Sequence, residues 1–186
     1  MLLSKASYYA DFVVYPLLLL PLGAVAIWGA PPHQAMVWLA ACVTGMAGFS
    51  LVEYGLHRFV LHHIAPFRHM HDMHHARPTA LVGTPTWLSA ALIAGLVLLP
   101  LWWLAGLNIA SGATFGLILG YLWYVSLHHA VHRWPARPGS YLHRAKHRHS
   151  RHHYAGQPCN FGVTTGLWDQ LFGSLPARPP APGGAS

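Results

Sequence analysis

Four apolar stretches, Phe12 to Ala30, Ala35 to Val52, Thr86 to Leu107 and Ile109 to Leu127, dominate the 186-residue chain. Each is close to the length a helix needs to cross about 30 Å of hydrocarbon. Hydrophobic residues make up 54% of the sequence and charged residues 8%, whereas a soluble domain carries about 25% charge. A bilayer is therefore the expected solvent. The same composition excludes disordered, collagen-like and disulfide-stapled chains, and Cys42 and Cys159 are too distant in sequence to imply a disulfide framework. The expected fold class is all-α integral membrane, with four transmembrane helices arranged as two hairpins. The hairpins turn at Gly29-Ala30-Pro31-Pro32 and at Gly106-Leu107-Asn108. Pro16, Pro21 and Pro100 fall inside expected spans, where neighbouring groups can satisfy the freed carbonyls.

The basic residues test this layout. Lys5 precedes the first span, Arg58, Arg68 and Arg77 lie between the second and third, and Arg133, Arg137, Arg144, Lys146, Arg148, Arg151 and Arg178 follow the fourth. Neither expected turn contains one. This is the positive-inside pattern, and it puts both termini and the polar segments on the cytoplasmic side of a multi-pass protein. Topology thus accounts for the formal net charge of +7, and no nucleic acid partner is needed. No cleavable signal peptide is expected, because a second apolar helix follows closely and no small-residue cleavage pattern precedes it. Residues 1–173 are expected to form a single membrane-embedded domain, and residues 174–186, rich in Pro, Gly and Ala, a disordered tail.

The 16 histidines are bunched rather than scattered. After the second span come Glu53, His57, His62 and His63, then His71-Asp72-Met73-His74-His75. After the fourth span the scheme returns as His128, His129 and His132, followed by His149-Ser150-Arg151-His152-His153. Positions i, i+3 and i+4 share a helix face, so each HxxHH presents three imidazoles together, and His128 aligns with His132. Imidazole suits Zn, Fe, Cu and Ni. The ten box histidines exceed what one ion needs, so two metals are the economical reading, held in a helical, His-rich cap on the cytoplasmic side. His33, in the first expected turn, is read as an interfacial residue. His63, His69, His129, His143 and His147 are open between ligands, partners of ligands and solvated loop residues.

The succession HxxxxH, HxxHH, HxxxH, HxxHH, interleaved with two hairpins, resembles the fatty acid hydroxylase superfamily, which includes sterol desaturases and hydroxylases. The segment from Asn160 to Gly173, NFGVTTGLWDQLFG, is similar to the family's segment after the last box, and Lys146, three residues before His149, matches as well. The resemblance runs from about Ala40 to Gly173. It implies a membrane oxygenase with two Fe ions that uses O2 and two externally supplied electrons to oxidise an unactivated C–H bond of a lipid, most simply a fatty acyl chain. Residue by residue, it implies His57, His62, His71, His74, His75, His128, His132, His149, His152 and His153 as metal ligands; zinc would occupy the same imidazoles in purified protein. Larger members carry a fused cytochrome b5 domain for which this chain has no room, so the implied electron donor is a separate protein of cytochrome b5 or ferredoxin type. Hydroxylation and desaturation both fit.

With four acidic residues, the chain cannot build a carboxylate-rich diiron site. Glu53, Asp72 and Asp169 instead stand on or beside the motifs and are candidates for holding imidazole N–H groups. Glu53 shares a helix face with His57 at the expected membrane boundary, where an ionisable group is costly and usually functional. Asp169 is equally readable as a turn residue beside an interfacial Trp168. Trp87, Trp102, Trp103, Trp123 and Tyr124 are readable as an interfacial belt or as lining for a substrate groove. A carotenoid or sterol hydroxylase or desaturase would use the same metal centre with a wider cavity. A membrane protein for metal transport or storage would place ligands inside the spans, where only Glu53 and His128 approach. A bis-His haem protein would need histidine pairs deep in facing helices, which the sequence lacks.

Overall fold

The computed structural model describes residues 1–28 and 31–176 and is helical throughout its regular elements. Gly29 and Ala30 of the first expected turn, and residues 177–186 of the expected tail, lie outside the described residues. The helices are α1 (Lys5–Tyr9), α2 (Asp11–Ile27), α3 (Pro32–Gly55), α4 (Ala65–Ala76), α5 (Thr86–Ile93), α6 (Leu99–Arg133), α7 (Tyr141–Tyr154) and α8 (Leu167–Leu171). A π-helical turn, Leu56–Leu61, extends α3, and another, Ala94–Leu98, joins α5 to α6. The second π-turn has a local cause. Pro100 has no N–H to donate back along the helix, and its ring collides with the carbonyl four residues earlier, so widening the preceding turn relieves the conflict.

Three helical stretches among the described residues are long and apolar enough to cross a membrane, Lys5–Ile27, His33–Leu61 and Thr86–Arg133. The third has 48 residues and is not straight. Gly106 breaks it with φ 83° and ψ 165°, backbone angles that a glycine adopts without penalty. One carboxylate shows how sharply it turns. Asp11 Oδ1 accepts from the Thr86 hydroxyl at 2.6 Å and Asp11 Oδ2 from the Tyr121 hydroxyl at 2.6 Å. Along an unbroken helix, Thr86 and Tyr121 would stand about 50 Å apart. The stretch is therefore a helical hairpin turning at Gly106, where the sequence places a turn. α2 meets the start of the first limb, where Tyr15 donates to Ser89 at 2.7 Å, one helical turn beyond the Asp11–Thr86 bond. It also packs on the second limb, where Tyr15 lies against Tyr121 with ring centroids 4.9 Å apart.

The second limb packs on α3, and glycine sets the distance. Gly112, Gly116 and Gly120 fall four residues apart on α6; a Cβ on Gly112 would stand 2.5 Å from the Trp38 carbonyl, one on Gly120 2.7 Å from the Phe49 Cβ, and one on Gly116 would overlap the Cys42 carbonyl. Small residues at this spacing let helix backbones approach where lipid offers no hydrophobic drive. Contacts advance in the same order along both helices, so α3 and this limb run parallel. Both deliver their histidine-bearing ends to the same end of the bundle.

The cap there consists of α4, α7 and the segment from Cys159 to Ser174 that wraps them. Ser140 caps α7 by accepting from the His143 N–H at 3.1 Å, a standard use of serine at a helix start. Ser174, which the sequence reading placed at the head of the tail, is buried and bonded to Tyr54 at 2.9 Å and to Asp169 at 2.7 Å. The folded part of the chain thus includes it.

Candidate metal centre

In an α-helix, residues five apart point about 140° away from each other, so the HxxxxH spacing of His57 and His62 does not fit one face. The π-turn Leu56–Leu61 removes the discrepancy. Its wider coil brings the two rings into a stack, with centroids 5.4 Å apart and planes at 18°. Single π-turns of this kind concentrate at functional sites. His128 and His132, four residues apart, need no such device and lie on regular α6.

Ten imidazoles gather at this end of the bundle. His57, His62, His71, His75 and His152 place one nitrogen each within 4.8 Å of the others, and His74, His132, His149 and His153 do the same. His128 Nε2 stands 3.1 Å from His74 Nε2 and so joins the second group. The two HxxHH boxes are used alike. In α4, His71 and His75 serve the first cluster while His74 crosses to the second; in α7, His149 and His153 serve the second while His152 crosses to the first. Each cluster therefore contains residues from both halves of the sequence, and the two meet where His75 stacks on His153 at 4.2 Å and 14°.

The spacing within the clusters is that of ligands around an ion. Neighbouring Nε2 atoms lie 2.8 to 3.3 Å apart. Two nitrogens about 2.1 Å from a common ion and roughly 90–110° apart would stand about 3.0–3.4 Å from each other. The protonation pattern agrees. His57 Nδ1–H donates to the Phe161 carbonyl at 2.6 Å and His152 Nδ1–H to the Cys159 carbonyl at 2.8 Å, which leaves a lone pair on each Nε2. Those Nε2 atoms face each other at 2.9 Å. Two acceptors at that distance repel unless a cation lies between them, so the residues fit a bound metal.

Burial keeps the cap imidazoles in the neutral form a ligand needs. Desolvation, reinforced by neighbouring rings, lowers His62 to about 4, His74 to about 3 and His153 to about 2. Desolvation also lowers His152 to about 3, against the opposing bond to Cys159. His71, His75 and His149 are lowered for the same first reason.

The carboxylates act at one remove. Glu53 accepts from the Val163 N–H at 2.6 Å, the Thr164 N–H at 3.0 Å and the Thr164 hydroxyl. Asp169, fully buried, accepts from the N–H groups of Phe161 at 2.8 Å and Gly162 at 2.9 Å. Neither touches an imidazole. They hold the strand of backbone whose carbonyls do, and Asn160 between those carbonyls has φ 53°, a left-handed conformation that asparagine tolerates. Asp72 is exposed and reaches His62 and His75 only through its charge.

Of the histidines the sequence left open, His63, His69, His143 and His147 are exposed, and none joins a cluster. His129 pairs with the Tyr8 hydroxyl at 3.1 Å. Trp87, Trp102, Trp103 and Trp123 are all about half exposed or more, as a belt requires, whereas Tyr124 stacks on His128 at 5.6 Å and 10°. Sequence reasoning missed the roles of Cys159 and Phe161, because a carbonyl leaves no mark on residue type. The one available signal was the matching segment from Asn160 onwards.

The chain is similar to several known proteins. The chain is 34% identical over 148 residues to the fatty acid 2-hydroxylase of Macaca fascicularis, a match covering 73% of this chain and 39% of that protein. It is 33% identical over 147 residues to a dihydroceramide fatty acyl 2-hydroxylase of Arabidopsis thaliana, covering 71% and 59%. A ceramide very long chain fatty acid hydroxylase of Saccharomyces cerevisiae is 35% identical over 160 residues, covering 76% and 39%. The chain thus spans between two fifths and three fifths of the length of these relatives. A solved structure described as full-length scs7p with only the hydroxylase domain visible shares the fold, with a TM-score of 0.78 at 22% identity over 92% of this chain and 67% of that one. Residues 42–174, which hold all ten clustered histidines and the carboxylates that brace them, match the fatty acid hydroxylase family model, and the chain belongs to that family.

Proposed function

We propose that this chain is a membrane-bound, O2-dependent diiron hydroxylase acting on the acyl chain of a lipid. The observation that carries the reading is the meeting of ten imidazoles from both halves of the sequence in two touching clusters with ligand spacing. His57, His62, His71, His75 and His152 would hold one iron, and His74, His128, His132, His149 and His153 the other. With O2 and two electrons, bound irons supply the oxidising power that an unactivated C–H bond demands and that no side chain possesses. The protein's part is to fix ten neutral imidazoles, to exclude water around them and to present the acyl chain. The names of the relatives point to the 2-position of that chain.

The topology belongs to the same proposal. Four spans are supported by the reversal at Gly106, because each limb of the 48-residue stretch is then close to one bilayer crossing. Exposed Trp87 near the cap and exposed Trp103 near the turn stand about 24 Å apart along the first limb, roughly a hydrocarbon thickness. The one-sided basic residues support a cytoplasmic cap and cytoplasmic termini, with electrons arriving there from a carrier of cytochrome b5 or ferredoxin type. Residues 1–173, together with the buried Ser174, act as one domain.

The test is expression of the full chain and of His71→Ala in a host, followed by untargeted lipid analysis under 18O2. The expected result is acyl species heavier by one labelled oxygen with the parent chain only. Purified protein that takes up no iron, or lipids unchanged by its expression, would overturn the reading.

A further inference from the structure

Among the described residues, the most completely buried acid lies outside both clusters. Asp169 is 0% exposed, and each of its oxygens is used. Oδ1 accepts from the Phe161 N–H at 2.8 Å and the Ser174 hydroxyl at 2.7 Å, and Oδ2 from the Gly162 N–H at 2.9 Å. Its negative charge is therefore matched by three donors rather than by a cation. Burying a carboxylate is costly, and this one is fixed where it governs a single short stretch of backbone.

That stretch ends on the first cluster and on no member of the second. The Phe161 carbonyl takes the His57 Nδ1 proton and the Cys159 carbonyl the His152 Nδ1 proton. In the second cluster, by contrast, the Nδ1 atoms of His149 and His153 are buried without a protein partner. A Cβ on Gly162 would overlap the Thr165 carbonyl and stand 3.1 Å from Asp169 Oδ2, so the Thr165 carbonyl requires glycine here and the carboxylate packs closely on the same residue. Asn160 at φ 53° turns the chain between the two carbonyls so that both face histidines.

We propose that Asp169 is a positioning residue for the ion of the first cluster alone, acting through the Phe161–Gly162 backbone to fix His57, and that the two ions are therefore held with different strength and lost independently. The inference rests on the metal-centre reading above. An outer-sphere partner of a ligating histidine is worth about 10–100-fold in metal affinity, and Asp169 orients such a partner. Replacement by asparagine removes one acceptor and turns an NH2 toward a backbone N–H.

The experiment loads the purified full chain with Fe(II) or Zn(II), dialyses it against rising chelator and counts ions per chain. Wild type is expected to hold two, and Asp169→Asn to lose one at a chelator concentration about 10–100-fold lower while keeping the other. Adding His132→Ala to Asp169→Asn should then leave none, and adding His62→Ala should leave one. Two ions held at wild-type strength by Asp169→Asn would overturn the proposal, as would loss of the remaining ion on adding His62→Ala. Wild type that holds no metal would instead overturn the metal-centre reading, and this inference with it. Where Asp169→Asn fails to fold, Ser174→Ala removes one of the three donors; the proposal then requires earlier release of the first-cluster ion with the second unchanged, and equal weakening of both would refute it.

Discussion

A neutral imidazole offers a metal one lone pair, and the nitrogen that carries it is fixed by where the other nitrogen's proton goes. His57 and His152 give that proton to carbonyls, so their Nε2 atoms carry the lone pair that a metal would use. The residue types and their spacing were legible in the sequence because ligands must be particular side chains at particular intervals. The carbonyls of Cys159 and Phe161 were not, since every residue has one. The acids show the boundary between the two cases: Glu53 and Asp169 were readable as important from their scarcity, but not that each would grip backbone rather than an imidazole. His152→Ala and His71→Ala should each remove at least one metal ion per chain and reduce turnover to background, measured by elemental analysis and product formation. A pH effect follows from the same rings. His62, His74, His152 and His153 are lowered to about 4, 3, 3 and 2 in the folded chain, while in the unfolded chain they return to about 6.5. Below that value the unfolded state binds more protons, so the stability of metal-free protein should be full above pH 6.5 and fall progressively as pH drops toward 4. Thermal melts of chelated protein across that range would check it; a midpoint that rises on acidification would contradict it.

The same logic operates on whole elements. The three histidines of each box share one helix face, yet the middle histidine of each box crosses to the other cluster. Helical periodicity groups residues on a face but cannot say that a face about 100° wide is shared by two sites. Nor does periodicity forecast the π-turn at Leu56–Leu61, although HxxxxH is a poor fit to an α-helix and was the visible sign of it. The hairpin at Gly106 was legible, because Gly106-Leu107-Asn108 divides an apolar stretch too long for one membrane crossing into two runs each close to the length of one. What was not legible is the parallel seam of α3 and α6, for glycines at four-residue spacing mark a close contact without naming the partner. Gly116→Ala should therefore destabilise the bundle by at least about 1–3 kcal/mol, since its Cβ would overlap the Cys42 carbonyl. Gly48→Ala in α3, whose Cβ meets nothing within 4 Å, should be neutral or stabilising. Unfolding midpoints of the two variants in the same detergent provide the comparison, and equal effects would show that the seam does not depend on backbone approach.

At the scale of the molecule, the buried and exposed charges divide by sign. Asp11, Glu53 and Asp169 are buried in hydrogen bonds, and Asp72 is the one exposed acid; Lys5, Arg68, Arg77, Arg137, Arg144 and Arg151 are all exposed. Those cations stand on or next to the elements that hold the metal centre, and on the proposed topology they face the cytoplasm. A surface of one sign at the mouth of a redox site attracts a carrier of the other sign and raises the rate of encounter more than the strength of binding. An acidic electron carrier should thus drive the protein efficiently at low salt and progressively less well as ionic strength approaches about 0.15 M and the screening length falls to about 8 Å. Arg144→Glu combined with Arg151→Glu should lower the carrier-dependent rate about tenfold or more at low salt and flatten its salt dependence. Metal content should not change, because neither side chain enters a cluster. Activity driven by a small uncharged reductant separates docking from chemistry: it should be equal in wild type and the double variant, and a parallel loss there would place these arginines in the centre's own structure instead of on its docking face.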